Sequence, residues 1–212
     1  MVWGGGATRV EADASLSAFE ARQKTWAGAL ALAKGFPQIV ESQNVAGMKP
    51  GFVVVLLGYC AEAESAATLE LLKQFETSIY GRPVQRGEAS CPKLATGFER
   101  RAERVQKTKE GELRGLFLNS PRGLMLLLQL HTRAGVLVEA PVFTDLQLRG
   151  EGSGCSIDVA EKGIAVSREC AIPQGCPAVG SETGEVRSFL KGGKIESKYV
   201  MLTRDLPPCR GE

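Results

Sequence analysis

Six cysteines and a single histidine hold most of the reactive side chains of this chain: Cys60, Cys91, Cys155, Cys170, Cys176, Cys209 and His131. A zinc centre needs thiolates and imidazoles at short spacing, and no CxxC pair is present. The sequence therefore calls for no metal and no cofactor. An even set of dispersed cysteines fits structural disulfides in an oxidising compartment. Cys155 and Cys170 bracket CSIDVAEKGIAVSREC, a hairpin expected to turn at Glu161-Lys162-Gly163, so the two face each other. Cys60 follows an apolar strand and Cys91 the next strand of the same unit, which suits a second pair. Cys176 with Cys209 is left by elimination.

Catalytic constellations are sparse. A serine or cysteine nucleophile would have to use His131, which closes a leucine-rich strand and reads as a surface or satisfied histidine. GGGATR lacks the Lys-Ser/Thr of a phosphate loop and the last glycine of a dinucleotide fingerprint. GEGSGCS is not the nucleophile elbow G-x-S-x-G. Glu139, Asp145, Glu151 and Asp158 are the carboxylates a glycan hydrolase would draw on if the fold brought them together, and sequence spacing supplies no evidence that it does. The sequence reads as a non-enzyme, with an envelope glycan hydrolase as an alternative.

The elements that position these residues begin with GFVVVLLGY at 51–59. Its unbroken apolar block is too short for a membrane span and too uniform for an edge strand, so it is expected to be covered on both faces. The following run, CAEAESAATLELLKQF, places Ala63, Ala66, Leu69, Leu72 and Phe75 at helical spacing, with Glu62, Glu64 and Glu70 weighting the early turns. The pattern occurs twice. Gly6, Ala14 and Phe19 precede Gly58, Ala66 and Leu71 by the same offset, and short strands FPQIVES (36–42) and SIYGRPV (78–84) follow the two helices. The first helix is expected to carry Leu16, Phe19, Trp26, Leu30 and Ala33 on one face and to end at Lys34-Gly35. The order is βαβ followed by βαβ.

That duplicated pattern, with GFVVVLLGYCAEAESAATLELLKQF and the ending IYGRPV, resembles a SPOR-type (sporulation-related repeat) domain over about residues 1–88. The resemblance implies a four-stranded antiparallel sheet backed by two helices, in a bacterial envelope protein that binds peptidoglycan glycan strands, typically those stripped of stem peptides. The chain departs from the family in its long first helix and GGG turn. In that family the ligand lies on the sheet face away from the helices. Alternation along the short strands then nominates Gln38 and Ser42 on the second strand, and Tyr80 and Arg82 on the fourth. An aromatic face stacks on a sugar ring while amide and guanidinium groups bond its hydroxyl and N-acetyl groups.

Residues 89–111, with Pro92 and FERRAERVQKTKEGE, read as a linker or surface helix, since the basic residues are mixed with Glu99, Glu103 and Glu110. From 112 to 212 the pattern is β: short segments such as LRGLFLNS, GLMLLLQLH and KIESKYVMLTR, separated by turn residues, predict a disulfide-bearing sandwich or small barrel. GLMLLLQLH should be its central strand, with its far end emerging at Gln129 and His131. The expected fold is thus α+β, a duplicated βαβ–βαβ unit followed by an all-β domain.

The chain of 212 residues carries a formal charge of +2, so global electrostatics point to no nucleic-acid partner. No apolar run reaches the roughly 20 residues of a transmembrane helix. The first residues, MVWGGGATRV, lack the regions of a signal peptide, and together with the cysteines they suggest the mature part of a periplasmic or extracellular protein. The expected partner is peptidoglycan or an envelope protein, the latter with the first unit as a scaffold.

Overall fold

The structure is a computed structural model that describes residues 1–85, 89–132, 135–139, 141–143, 155–173, 179–192 and 194–207. The chain forms two compact units, Met1–Thr96 and Gly97–Glu212. The first contains β1 (Val2–Gly6), α1 (Arg9–Thr25), β2 (Leu30–Ala31), β3 (Gln38–Glu41), β4 (Val53–Leu56), α2 (Glu62–Phe75) and β5 (Lys93–Leu94). Strands β1, β4 and β3 make an antiparallel sheet in that order, and β2 pairs separately with β5. The apolar block at 53–57 accordingly lies in the middle strand, where Val54, Val55, Leu56 and Leu57 are buried.

Both halves of the unit run from strand into helix, β1 into α1 and β4 into α2. After the second helix the expected strand at 78–84 contracts to one bridge, Val2 to Tyr80, with reciprocal N–H···O bonds of 2.9 and 3.1 Å. Pro83 has no N–H to extend the ladder. The chain turns instead to the 42–52 loop, where the Gln85 N–H donates to the Ala46 carbonyl at 3.1 Å.

Helix α1 starts on a capping box: the Glu11 N–H donates to the Thr8 hydroxyl, and the Glu11 carboxylate accepts from the Thr8 N–H at 2.9 Å. It ends at Thr25, nine residues before the expected Lys34-Gly35 cap. The Gly28 N–H reaches the Gln23 carbonyl and the Ala27 N–H the Lys24 carbonyl, both at 3.1 Å, which is a Schellman closure with Ala27 at φ +51°. Leu30, expected on the helical stripe, lies in β2 instead. Trp26 stays in the core, where Trp3, Phe19, Trp26 and Phe75 meet edge to face at centroid distances of 5.1–6.3 Å. On α2 only the second half of the apolar stripe is used: Leu72 and Phe75 are buried, while Ala63 and Ala66 are exposed.

The described residues of the second unit form two antiparallel sheets. One is built from β6 (Glu99–Lys107), β7 (Glu112–Ser120), β8 (Gly123–Thr132), β9 (Gly135–Glu139) and β10 (Val142–Phe143), with β8 pairing β7, β9 and β10. The other runs β11 (Cys155–Val159), β12 (Ala165–Pro173), β13 (Val179–Lys191) and β14 (Lys194–Asp205) in sequence order. Leu113, Phe117, Leu126 and Leu128 of the first sheet share one buried cluster with Ile164, just before β12, and Val166 in β12 of the second.

Residues 89–111 are neither linker nor surface helix. They supply β5 and β6, and β6 is an edge strand whose Ala102 packs on the core while Arg100, Arg101 and Lys107 stay exposed. Charged residues are the usual protection of such an edge. Gln129 also differs from expectation. It is buried rather than emerging, because β9 pairs alongside it at Val138, and its Oε1 lies 3.1 Å from His131 Nε2.

Two disulfides are present among the described residues, Cys60–Cys91 and Cys155–Cys170, the latter pair directly opposite in the β11–β12 register. Cys176 and Cys209 lie outside the described residues, as do Asp145 and Glu151. No helix among the described residues is long and apolar enough to cross a membrane.

Candidate functional site

The two faces of the first sheet are sorted by its strands. Trp3 packs on Phe19 of α1, and a Cβ on Gly4 would meet Ser15 of the same helix, so both belong to the helix side. Their occurrence in succession reflects the irregularity in the β1–β4 register between Val2 and Gly4. Val2, Val54 and Leu56 occupy the other face. Val45 and Tyr59 are buried with them, and Phe36, Val40, Met48 and Val84 pack around the edges. The unit's own loops thus cover part of the face expected to be free.

The remainder is an open groove of about 640 Å³, within the range of ligand sites. Gly5 and Val54 form its floor, and β1 contributes no side chain there. At Gly5, with φ +146°, an added Cβ would run into the Val53 carbonyl oxygen, so only glycine fits. One wall holds Tyr80 and Arg82, the guanidinium carbon 5.4 Å from the Tyr80 ring centroid. The opposite wall is the 47–52 segment, with Met48, Lys49 and Phe52. Tyr80 and Phe52 remain 37% and 45% exposed, which leaves both rings available for stacking. Lys49 and Arg82 bring positive charge, and no aspartate or glutamate is among the described residues that line it.

Of the four residues nominated from sequence, three border this groove. Ser42 is fully buried and holds the loop closed: its N–H donates to the Phe52 carbonyl at 2.8 Å and its hydroxyl accepts from the Phe52 N–H at 3.1 Å. Its work is to set the position of Phe52. Tyr80 and Arg82 present their side chains to the groove. Gln38 pairs with Leu56, is exposed, and stands outside the groove.

Sequence reasoning missed Phe52 and Lys49. The available signal was Pro50-Gly51: a turn directly before an apolar strand leaves the first aromatic at the strand's mouth rather than within its covered length.

Two of the carboxylates considered for glycan cleavage, Glu139 and Asp158, lie among the described residues. Asp158 on β11 accepts from Arg101 at 3.0 Å and from the Val159 N–H at 2.7 Å, while Glu139 stands on β9 of the other sheet.

Comparison with protein-family models, with curated proteins and with solved structures finds no match for this chain.

Proposed function

We propose that the first unit is a SPOR-like, non-catalytic module of an exported bacterial protein, and that it holds peptidoglycan glycan strands in the groove between Tyr80 and Phe52. The observation that carries this reading is the pairing of two exposed aromatic rings with two cations over a floor to which β1 brings only glycine backbone. Pyranose rings stack on aromatic faces, and a flat floor lets a chain of them pass. Stripping stem peptides from a glycan strand frees a carboxylate on alternate sugars. Arg82 and Lys49 are suited to such carboxylates, Arg82 through two parallel N–H···O bonds. The order of the sheet supports the fold side of the reading, since Tyr80, β1, β4 and β3 succeed one another. The two disulfides support an oxidising compartment. The second unit, in this reading, is a sandwich of its two sheets.

The test is co-sedimentation with insoluble peptidoglycan, intact and amidase-stripped, at two salt concentrations. Retention should rise on the stripped material, and Phe52→Ala and Tyr80→Ala should each abolish it while leaving the unfolding transition in place. Equal failure of wild type on both materials would reduce the unit to a scaffold.

A further inference from the structure

A second organised cluster lies on the other sheet of the second unit. Cross-strand register places Arg168 of β12 opposite Gly184 of β13, and Glu182 opposite Cys170 on one side and Arg204 of β14 on the other. Tyr199 of β14 lies across Gly184, where any Cβ would run into its ring. The Tyr199 hydroxyl donates to Glu182 Oε1 at 2.7 Å, and Glu182 Oε2 lies 3.8 Å from Arg204 Nε. Arg168 spreads over the Tyr199 ring, its Cζ 5.7 Å from the centroid, and its Nε donates to Cys170 Sγ at 2.7 Å. Cys170 is buried and bonded to Cys155, so this anchor belongs to the covalent frame.

Arg204 balances Glu182. Arg168 has no carboxylate partner among the described residues and is held on both sides, by an aromatic face and by a sulfur. A guanidinium fixed in this way, with its terminal nitrogens unspent on acids, is built for a planar anion. Burial first, and then the hydrogen bond to Glu182, push the Tyr199 phenol above its ordinary value, so it remains an O–H donor throughout the neutral range. Glu182 retains lone pairs for incoming hydroxyl groups, and its charge disfavours a phosphate dianion relative to a monocarboxylate.

We propose that Arg168, Tyr199 and Glu182 form a binding site for a hydroxylated monocarboxylate of the sugar-acid class, with the carboxylate on Arg168 and the hydroxyls on Glu182. The site shares no residue with the groove of the first unit, and its test is independent of the glycan reading.

Titration of the full chain with D-glucuronate, followed by ligand-observed NMR, should give saturable binding that neither glucose nor inorganic phosphate reproduces. Polygalacturonate provides the polymer arm: preference for it identifies a chain of acidic sugars, and equal binding per residue identifies the free acid. Arg168→Lys keeps the charge but loses the fork, and should weaken binding on the order of tenfold. Tyr199→Phe preserves the ring under Arg168 and loses the hydroxyl, with its bond to Glu182 and its interaction with Arg168; an approximately threefold weakening is expected, within the range of one hydrogen bond. The second variant decides the matter should the first not fold. Absence of saturable glucuronate binding, equal binding of glucose, tighter binding of phosphate, or unchanged affinity in a folded variant would each overturn the assignment.

Discussion

Replacing Ala27 by glycine should stabilise the first unit, the opposite of the usual effect of glycine in a helix interior. Ala27 follows the last turn of α1 at φ +51°, is exposed, and contributes its N–H to the Schellman closure. A left-handed backbone costs an L-residue roughly 1–2 kcal/mol. Glycine avoids that cost, but its greater freedom in the unfolded chain takes back about 0.5–1 kcal/mol. The exposed methyl packs on nothing that offsets the difference, so the net gain is about 0.5–1 kcal/mol. For a unit of this size that corresponds to a rise in Tm of roughly 3–6 °C. Both tryptophans, Trp3 and Trp26, belong to the first unit, so their fluorescence follows its melting without interference from the second. Gly28→Ala, at φ +75°, supplies the reverse control and should lower the midpoint. A fall in Tm for Ala27→Gly, or no penalty for Gly28→Ala, would refute the Schellman assignment.

Further outcomes concern the same unit and its links. Removing the Cys60–Cys91 bridge as a double serine variant should cost about 3–4 kcal/mol, the chain-entropy value for its 31-residue separation, measured by tryptophan fluorescence in urea. A loss below about 1 kcal/mol would mean that the unfolded chain retains structure that already confines that loop. Hydrogen bonds to Glu11, first from the Thr8 N–H, hold its carboxyl below the ordinary range. Its stabilising contribution is therefore complete above the unfolded value near ~4.3 and is lost as pH falls through the lower folded value. Glu11→Gln should lower Tm at pH 7 and converge with wild type at strongly acidic pH; a constant difference would exclude the carboxylate as the cause.

The parts of the fold that were legible in the sequence are those whose pattern is set by burial alone. Val53–Leu56 and Gly123–Thr132 sit in the middle of sheets because an unbroken apolar run has no solvent face to offer. The Cys155–Cys170 hairpin was legible because a glycine turn and two equidistant cysteines define the register. The end of α1 was not: Trp26 and Leu30 continue the helical period, and the left-handed residue that stops the helix is an alanine. Strand β6 was hidden by its charges, which suit an edge as well as they suit a solvated helix. In the groove, Tyr80 and Arg82 followed from the family resemblance together with alternation, whereas the facing wall depends on a loop folding back from Ser42 to Phe52, a tertiary contact that spacing does not encode.

The Cys60–Cys91 bond also makes part of the chain a covalent ring, residues 60–91, and the two walls of the groove fall on opposite sides of that boundary. Tyr80 and Arg82 are inside the ring; Lys49 and Phe52 are outside it. A single backbone cut anywhere within the ring therefore detaches nothing: α2 and the Tyr80 wall stay tethered at one end or the other, and the nicked molecule keeps its full mass on a gel until it is reduced. In a compartment with active proteases, that topology lets one wall of the site survive damage that would release it from an open chain.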